Sequence, residues 1–206
     1  MSGNVTKGGA SYCASLTREQ FCFYEMRTTA KLMSQGLSDA DVVQEIVEGN
    51  LFQYPTEKSI KRTALMCVTR LRALGDDTLI TAVASRPVDT AKQICLYAMM
   101  KNSRLLREFM ATVIAEKYRT QDFTFSRRDV HAFFTRLQEQ NDTVAGWSAN
   151  TATRIQQILI RVLVENDYLD DRKSEKLNPV LISPLLESAM RANGDAALLP
   201  AFYCFG

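Results

Sequence analysis

Apolar residues recur at helical spacing along most of the chain. In the clearest case, apolar side chains follow an i, i+4, i+7, i+8 pattern: Ile60, Ala64, Cys67, Val68, Leu71 and Leu74. At 3.6 residues per turn, this spacing places them in one stripe on one side of a helix. Comparable stripes recur at 42–47, 105–114, 130–137 and 152–163. The pattern predicts a mainly all-α protein.

Polar residues with helix-capping chemistry mark where the predicted helices begin. Ser, Thr and Asp side chains satisfy free backbone N–H groups at a helix start, and a Gln or acid three residues later completes a capping box. Four starts are expected at these N-caps: Thr17 with Gln20, Ser38 with Asp41, Thr56 after Pro55, and Ser126 with Asp129.

The order of elements indicates two similar units. Over 38–74 a short helix, a Gly49-Asn50 break and a long helix follow one another, as in a helix-turn-helix. After the helix predicted at 149–166, Tyr168-Leu169 and the stretch 177–182 flank a charged turn, which predicts a small antiparallel β-hairpin. Two helices followed by a hairpin are typical of a winged helix-turn-helix. The C-terminal unit is therefore predicted to be winged.

These units define the expected domains. Residues 1–11 are polar and rich in glycine, and we expect a flexible tail there. The N-terminal helical region with its helix-turn-helix-like unit spans 12–122, and the winged-helix-like unit with its tail spans 123–206. A helical middle joins the two units.

The helix over 57–74 is locally basic, although the chain is nearly neutral overall with 25 bases and 23 acids. Within this helix one acid, Glu57, stands against five bases. The candidate phosphate contacts are Lys58, Lys61, Arg62 and Arg72, and Ser59 is a candidate base contact near the helix start. A basic helix face is typical of nucleic-acid binding. An ordinary solvated surface helix has the same pattern.

The helix over 149–166 also has a polar and basic side. Its candidate DNA contacts are Asn150, Thr151, Arg154, Gln157 and Arg161. Asn150, Thr151 and Arg154 lie near the helix start, the position from which side chains reach base edges. Arg172 and Lys173 at the predicted hairpin tip are further candidates, although neighbouring acids leave that tip nearly neutral.

Catalytic, metal and membrane chemistry have little support in the sequence. There is no Gly-rich phosphate loop and no G-x-S-x-G motif, so we expect no enzyme and no cofactor. His131 is the only histidine and the five cysteines are dispersed, which argues against a metal site and favours reduced thiols in a cytoplasmic protein. No uncharged run approaches the roughly 20 apolar residues of a bilayer span, so no membrane contact is expected.

Several short motifs give the chain a family resemblance. They are Y-C-A-S-L-T at 12–17, G-L-S at 36–38, E-G-N-L-F-Q at 48–53, Arg70-Leu71, Trp147-Ser148, Thr151, Thr153 and the segment 163–169. In these the chain resembles the BrxA family of BREX, the bacteriophage-exclusion systems, from about Tyr12 to Leu186.

The resemblance implies a helical, non-catalytic protein that binds double-stranded DNA. Its expected partners are DNA and other BREX proteins: an ATPase, a methyltransferase and a phosphatase-like protein. One feature departs from a strict helix-turn-helix, because the link at 49–56 is longer than the usual three or four residues.

Two alternatives stay open. The first is a protein-interaction adaptor of the BREX complex, in which the apolar segment from Leu198 to Phe205 anchors a partner. Docking of that segment onto the protein's own core is the favoured explanation of its apolar character. The second is an RNA-binding or regulatory protein, because the family has been compared with the antitermination factor NusB.

Overall fold

The computed structural model describes residues 12–18 and 20–205. In this part of the chain the α-helices are α1 (Phe23–Met33), α2 (Asp39–Glu48), α3 (Glu57–Arg72), α4 (Asp77–Ser85), α5 (Val88–Asn102), α6 (Arg104–Phe109), α7 (Ala115–Arg119), α8 (Arg127–Gln140), α9 (Asp142–Ala145), α10 (Ala149–Glu165) and α11 (Pro184–Ala192). A π-helical turn at Met110–Ile114 joins α6 to α7, and 3-10 helices lie at Ala14–Thr17 and Ala196–Phe202. The prediction of a mainly helical protein is confirmed. The predicted tail at 1–11 lies outside the described residues.

Three of the four predicted helix starts are confirmed. Ser38 Oγ accepts from the Asp41 N–H, Thr56 Oγ1 accepts from the Ser59 N–H, and Ser126 forms a capping box with Asp129. The start at Thr17 is wrong. Thr17 ends a 3-10 helix, and α1 begins only after Cys22. The left-handed backbone of Cys22, with a φ of 53°, separates the two helices.

The predicted apolar stripes form one continuous core. Every member of the α3 stripe from Ile60 to Leu74 is buried, and the α10 stripe packs into the same cluster. Helix α3 packs against α1, α2 and α5, while the first 3-10 helix packs against α10. Helices α3 and α10, which are far apart in sequence, thus each pack against a part of the N-terminal segment, α3 against α1 and α10 against the first 3-10 helix. The domain division at 122/123 stays a prediction.

The predicted β-hairpin at 168–182 is wrong. These residues form no strand, and their one bridge is the antiparallel pair Thr124 and Lys176. Flanking it, the Phe125 N–H donates to Glu175 O at 2.9 Å and the Leu177 N–H donates to Phe123 O at 2.8 Å. The apolar segments on either side of a charged turn suggested pairing with each other, but their sequence carried no information about which distant segment would pair with them.

The segment around Tyr168 is fixed by packing into the core and not by hydrogen bonds between paired strands. The Tyr168 side chain is fully buried and its hydroxyl donates to Ala201 O at 2.9 Å. The Asn178 N–H donates to Tyr168 O at 2.8 Å, which closes 168–178 as a loop. The C-terminal unit therefore has a loop after α10 where a wing was expected.

A candidate nucleic-acid interface

Three predicted contacts cluster at the start of α3. Thr56 caps this helix and its apolar stripe is buried, so Lys58, Lys61 and Arg62 project outward and are exposed. They line an open depression of ≈ 640 Å³ together with Leu65 and other residues. Within the described residues none of the three forms an ion pair. Their charges are free to meet an external anion.

The other two bases of α3 are held within the protein. Arg70 is buried, and its Nη1 donates to Gln20 O at 2.7 Å. Arg72, a predicted phosphate contact, pairs with Asp39 at 2.7 Å and with Asp77 at 3.3 Å. These two carboxylates already balance the charge of Arg72, which weakens its attraction for phosphate. A DNA contact by Arg72 stays a prediction.

Two predicted hydroxyl contacts already take part in capping. Ser59 Oγ donates to Thr56 O at 2.7 Å at the start of α3. The Thr151 and Ser148 hydroxyls lie 2.9 Å apart at the start of α10. Both side chains stabilise helix starts, and either would have to give up or share that bond to contact DNA.

The predicted contacts of α10 line a second depression of ≈ 430 Å³. Those in the lining are Asn150, Arg154, Gln157 and Arg161, joined by Arg172 from the following loop. Arg161 Nη1 donates to the Gln20 side-chain oxygen. Lys173 is exposed outside this lining, and its backbone N–H donates to Asp171 at 2.6 Å. Four of the five predicted residues of α10, all except Thr151, therefore line this depression with one of the two from the charged turn.

A third depression of ≈ 590 Å³ shares a lining residue with each of the other two. Arg62 lines both the first and the third, and Gln20 lines both the second and the third. Arg18 and Lys92 add positive charge to the third depression, although Lys92 also pairs with Asp167 at 3.2 Å. The polar sides of α3 and α10 thus border one surface, which we call the basic surface.

Two acids interrupt the basic surface in its middle. Glu25 accepts from the Tyr54 hydroxyl at 2.6 Å, while the Oε2 atom of Glu165 is buried without a hydrogen-bond partner. Burial raises the pKa of the Glu165 carboxyl, and it outweighs the opposing effect of Arg161 and Arg172. Neither acid was predicted. Glu165 ends α10 and Gln20 precedes α1, and only tertiary packing places them in one depression with Arg62 of α3, so neither had a local signal for this site.

Two of the thiols lie in the core, and the histidine lies at the surface. Cys67 and Cys95 are buried, and burial raises the pKa of the Cys95 thiol to about 12. His131 is exposed on α8, and the described residues include no cluster of His, Cys, Asp or Glu suited to hold a metal ion. Among the described helices, none combines the length and apolar character needed to span a membrane.

The apolar C-terminal segment lies against the core. Leu198, Leu199, Ala201 and Phe202 are buried, and the Ala196–Phe202 helix packs on α7 and on the π-helical turn. Phe205 is 52% exposed and contacts the Tyr203 ring. Most of the segment from Leu198 to Phe205, the partner anchor of the adaptor alternative, therefore packs against the protein's own core.

The fold and this surface define a class of protein: mainly helical, with two polar and basic helix faces bordering a single surface. A sequence model of the BrxA family matches residues 10–194. The chain belongs to the BrxA family of BREX proteins.

Individual relatives agree with this assignment. The BREX protein BrxA of Bacillus cereus (strain H3081.97) is 32% identical over 188 residues, which cover 89% of this chain and 92% of the relative. The BREX protein BrxA of Paramagnetospirillum magneticum is 25% identical over 171 residues, covering 83% and 85%. A crystal structure of an uncharacterized protein from Magnetospirillum magneticum has the same fold, with a TM-score of 0.77 at 23% identity, covering 94% of this chain and 98% of that one.

Proposed function

We propose that this protein is a non-catalytic, double-stranded DNA-binding component of a BREX phage-defence system. The observation that carries the proposal is the basic surface, on which the free bases of α3 and the polar side of α10 line depressions that share residues with a third. Other BREX proteins, such as an ATPase, a methyltransferase or a phosphatase-like protein, would act with it on the same DNA.

The two helices have different proposed roles. Lys58, Lys61 and Arg62 are free cations, and cations on phosphates provide affinity without sequence preference. On α10 the amides of Asn150 and Gln157 alternate with Arg154, and these side chains can form paired hydrogen bonds to base edges. The eight residues between α2 and α3 give the first unit a longer turn than a helix-turn-helix has. We therefore infer that α3 binds the DNA backbone and that α10 contacts the bases.

Duplex DNA fits the basic surface better than a single strand does. Proteins that bind unpaired bases stack them on exposed aromatic rings. In the described residues only Tyr24 and Phe205 are exposed aromatics, and of these only Tyr24 borders the basic surface. Helices that carry free cations suit a continuous double-helical backbone.

The test is fluorescence anisotropy of the full chain with a labelled DNA duplex at several salt concentrations. The logarithm of affinity should fall linearly with the logarithm of salt, because bound phosphates release counterions. Replacing Lys58, Lys61 and Arg62 together by Ala should reduce that slope by about 3, at about 0.9 per lost phosphate contact. Affinity for all duplexes should fall by a similar factor.

A matched control separates the basic surface from overall charge. Lys31, Arg119 and Arg128 are exposed and lie outside the three depressions. Replacing these three by Ala removes the same charge and should leave the salt slope nearly unchanged. Binding that is insensitive to salt, or a control that costs as much as the α3 triple, would contradict the proposal. Tighter binding of an RNA duplex or hairpin would instead support the RNA alternative.

A further inference from the structure

A groove runs between α2 and α3, beside the basic surface. It encloses ≈ 840 Å³, more than each of the three depressions above. Its apolar lining consists of Ala40, Val43, Val47, Leu65 and Val68. Leu65 is 50% exposed, so its side chain adds accessible apolar surface to the groove.

The lining has the dimensions of a helix-binding groove. On α2 the lining residues run from Asp39 to Glu48, and on α3 they run from Glu57 to Val68. At 1.5 Å per residue these stripes are roughly 13–17 Å long, about three helical turns. A groove between two helices with apolar lining residues over this length can accept the apolar side of an amphipathic helix.

The charges at the groove edges are mainly negative. Glu48 and Glu57 are exposed at the end where the 49–56 loop joins α2 to α3. At the other end Asp39 is already paired with Arg72. Lys61 is the one base in the lining. The loop end of the groove therefore repels phosphate and attracts basic side chains.

We propose that the α2–α3 groove binds an amphipathic helix of a partner protein, with aliphatic residues on one side and Lys or Arg placed against Glu48 and Glu57. The occupant is complementary to the groove in both shape and charge. This inference does not rest on DNA binding, because it concerns a protein ligand. Lys61 and Leu65 line both this groove and the first depression of the basic surface.

Other occupants fit less well. A second copy of this chain would need an exposed aliphatic stripe, but the other exposed large hydrophobics of the described residues lie on separate elements: Tyr24, Val88, Leu181 and Phe205. Residues 1–11 contain one branched aliphatic side chain, Val5, which is too few to cover the floor. DNA is disfavoured by the two glutamates.

The probe is a pair of synthetic amphipathic helices with identical leucine positions, one carrying lysines and the other glutamates. Binding to the isotopically labelled full chain is followed by amide chemical shifts. The lysine peptide should shift residues of α2 and α3 around Val43, Val47 and Leu65. The glutamate peptide should bind at least about tenfold more weakly, because like charges oppose each other at the loop end.

Two variants separate a docked helix from general electrostatic attraction. Leu65→Glu removes apolar contact and adds a negative charge, so a loss of lysine-peptide binding cannot be electrostatic. Glu48→Lys with Glu57→Lys should reverse the preference toward the glutamate peptide. The control pair Glu45→Lys with Glu139→Lys makes the same charge change at exposed positions outside the groove and should not reverse it.

Three results would overturn the proposal. They are chemical shifts scattered outside α2 and α3, an unchanged peptide preference in the Glu48/Glu57 variant, and self-association that buries Leu65 without any peptide. Anisotropy with duplex DNA on the same samples is a separate measurement, so loss of one activity is not mistaken for loss of the other.

Discussion

Helices α3 and α10 both have an apolar stripe on one side and polar, basic residues on the other, but their basic side chains have different partners in the structure. On α3 two of five bases serve the fold: Arg70 is buried, and Arg72 joins α3 to Asp39 and Asp77. On α10 Arg154 and Gln157 stay exposed, and Arg161 contacts Gln20 at the edge of a depression. A basic residue on a helix is therefore a candidate for binding only when no carbonyl or carboxylate of the protein already holds it.

The largest expected effect concerns a base that serves the fold. Replacing Arg70 by Leu should lower the free energy of unfolding by roughly 2–4 kcal/mol, because the carbonyl oxygens of Gln20 and Phe21 lose a buried charged donor. Chemical denaturation measures this change. Arg62→Leu, on the exposed side of the same helix, is the control and should change stability little. Equal losses in both variants would contradict the distinction drawn between the bases of α3.

The next effect concerns the division of labour between the helices. Asn150→Ala or Arg154→Ala should alter which sequences the protein selects from a randomised pool of DNA duplexes. A lost base contact removes roughly 1–3 kcal/mol of discrimination at its position. The Lys58, Lys61 and Arg62 triple variant should bind the same sequences as the parent, only more weakly. Altered selection by the triple variant alone would reverse the assignment.

A smaller effect is expected from Glu165, the acid at the end of α10 that interrupts the basic surface. Glu165→Gln should strengthen duplex binding at neutral pH by about threefold, the effect of one charge at about 6 Å in water. Since the pKa of the Glu165 carboxyl is raised, the folded protein keeps the carboxyl proton at pH values where the unfolded chain has released it. The gain in affinity should therefore shrink as the pH falls through the raised pKa. Anisotropy across pH measures it, with Glu139→Gln on α8 as the control.

The same carboxyl affects stability with a definite sign. Between its unfolded and its folded pKa, the folded state binds more protons than the unfolded state, so the stability of the parent protein falls as pH rises through this window. In the Glu165→Gln variant that dependence should be absent. A denaturation midpoint that depends on pH equally in both proteins would contradict it.

The smallest effect should come from Arg72. Because Asp39 and Asp77 already balance its charge, Arg72→Gln should weaken duplex binding much less than Lys61→Gln does. Its exposed ion pairs contribute roughly 0.2–1 kcal/mol to stability, which chemical denaturation can resolve at the upper end. A loss of affinity as large as that of Lys61→Gln would show that Arg72 contacts phosphate despite its partners.

Much of the fold was predictable because its signals are local. The stripe from Ile60 to Leu74 and the caps at Ser38, Thr56 and Ser126 depend on residues within one or two turns, and the structure confirms them. The N-cap expected at Thr17 is wrong because Thr17 ends a 3-10 helix, its hydroxyl donates back to Ala14 O at 2.9 Å, and α1 begins only after Cys22. A capping pattern indicates a preference, and the surrounding packing decides whether a helix follows it.

The candidate site was predictable only in its parts. Lys58, Lys61, Arg62, Arg154 and Gln157 stood out from helical spacing and charge. Their connection through Gln20, and the interruption by Glu165, depend on residues more than a hundred positions apart that meet only in the folded protein.

The sequence by itself determined the helices, their buried sides, the family and the excess of bases on α3, because periodicity and composition are properties of nearby residues. Only the tertiary structure decided which of those bases are free, that 175–177 pairs with 123–125 and forms no hairpin, and that α3 and α10 border one surface. Those outcomes depend on which distant carbonyl, carboxylate or strand edge lies within hydrogen-bonding distance, and helical spacing does not contain that information.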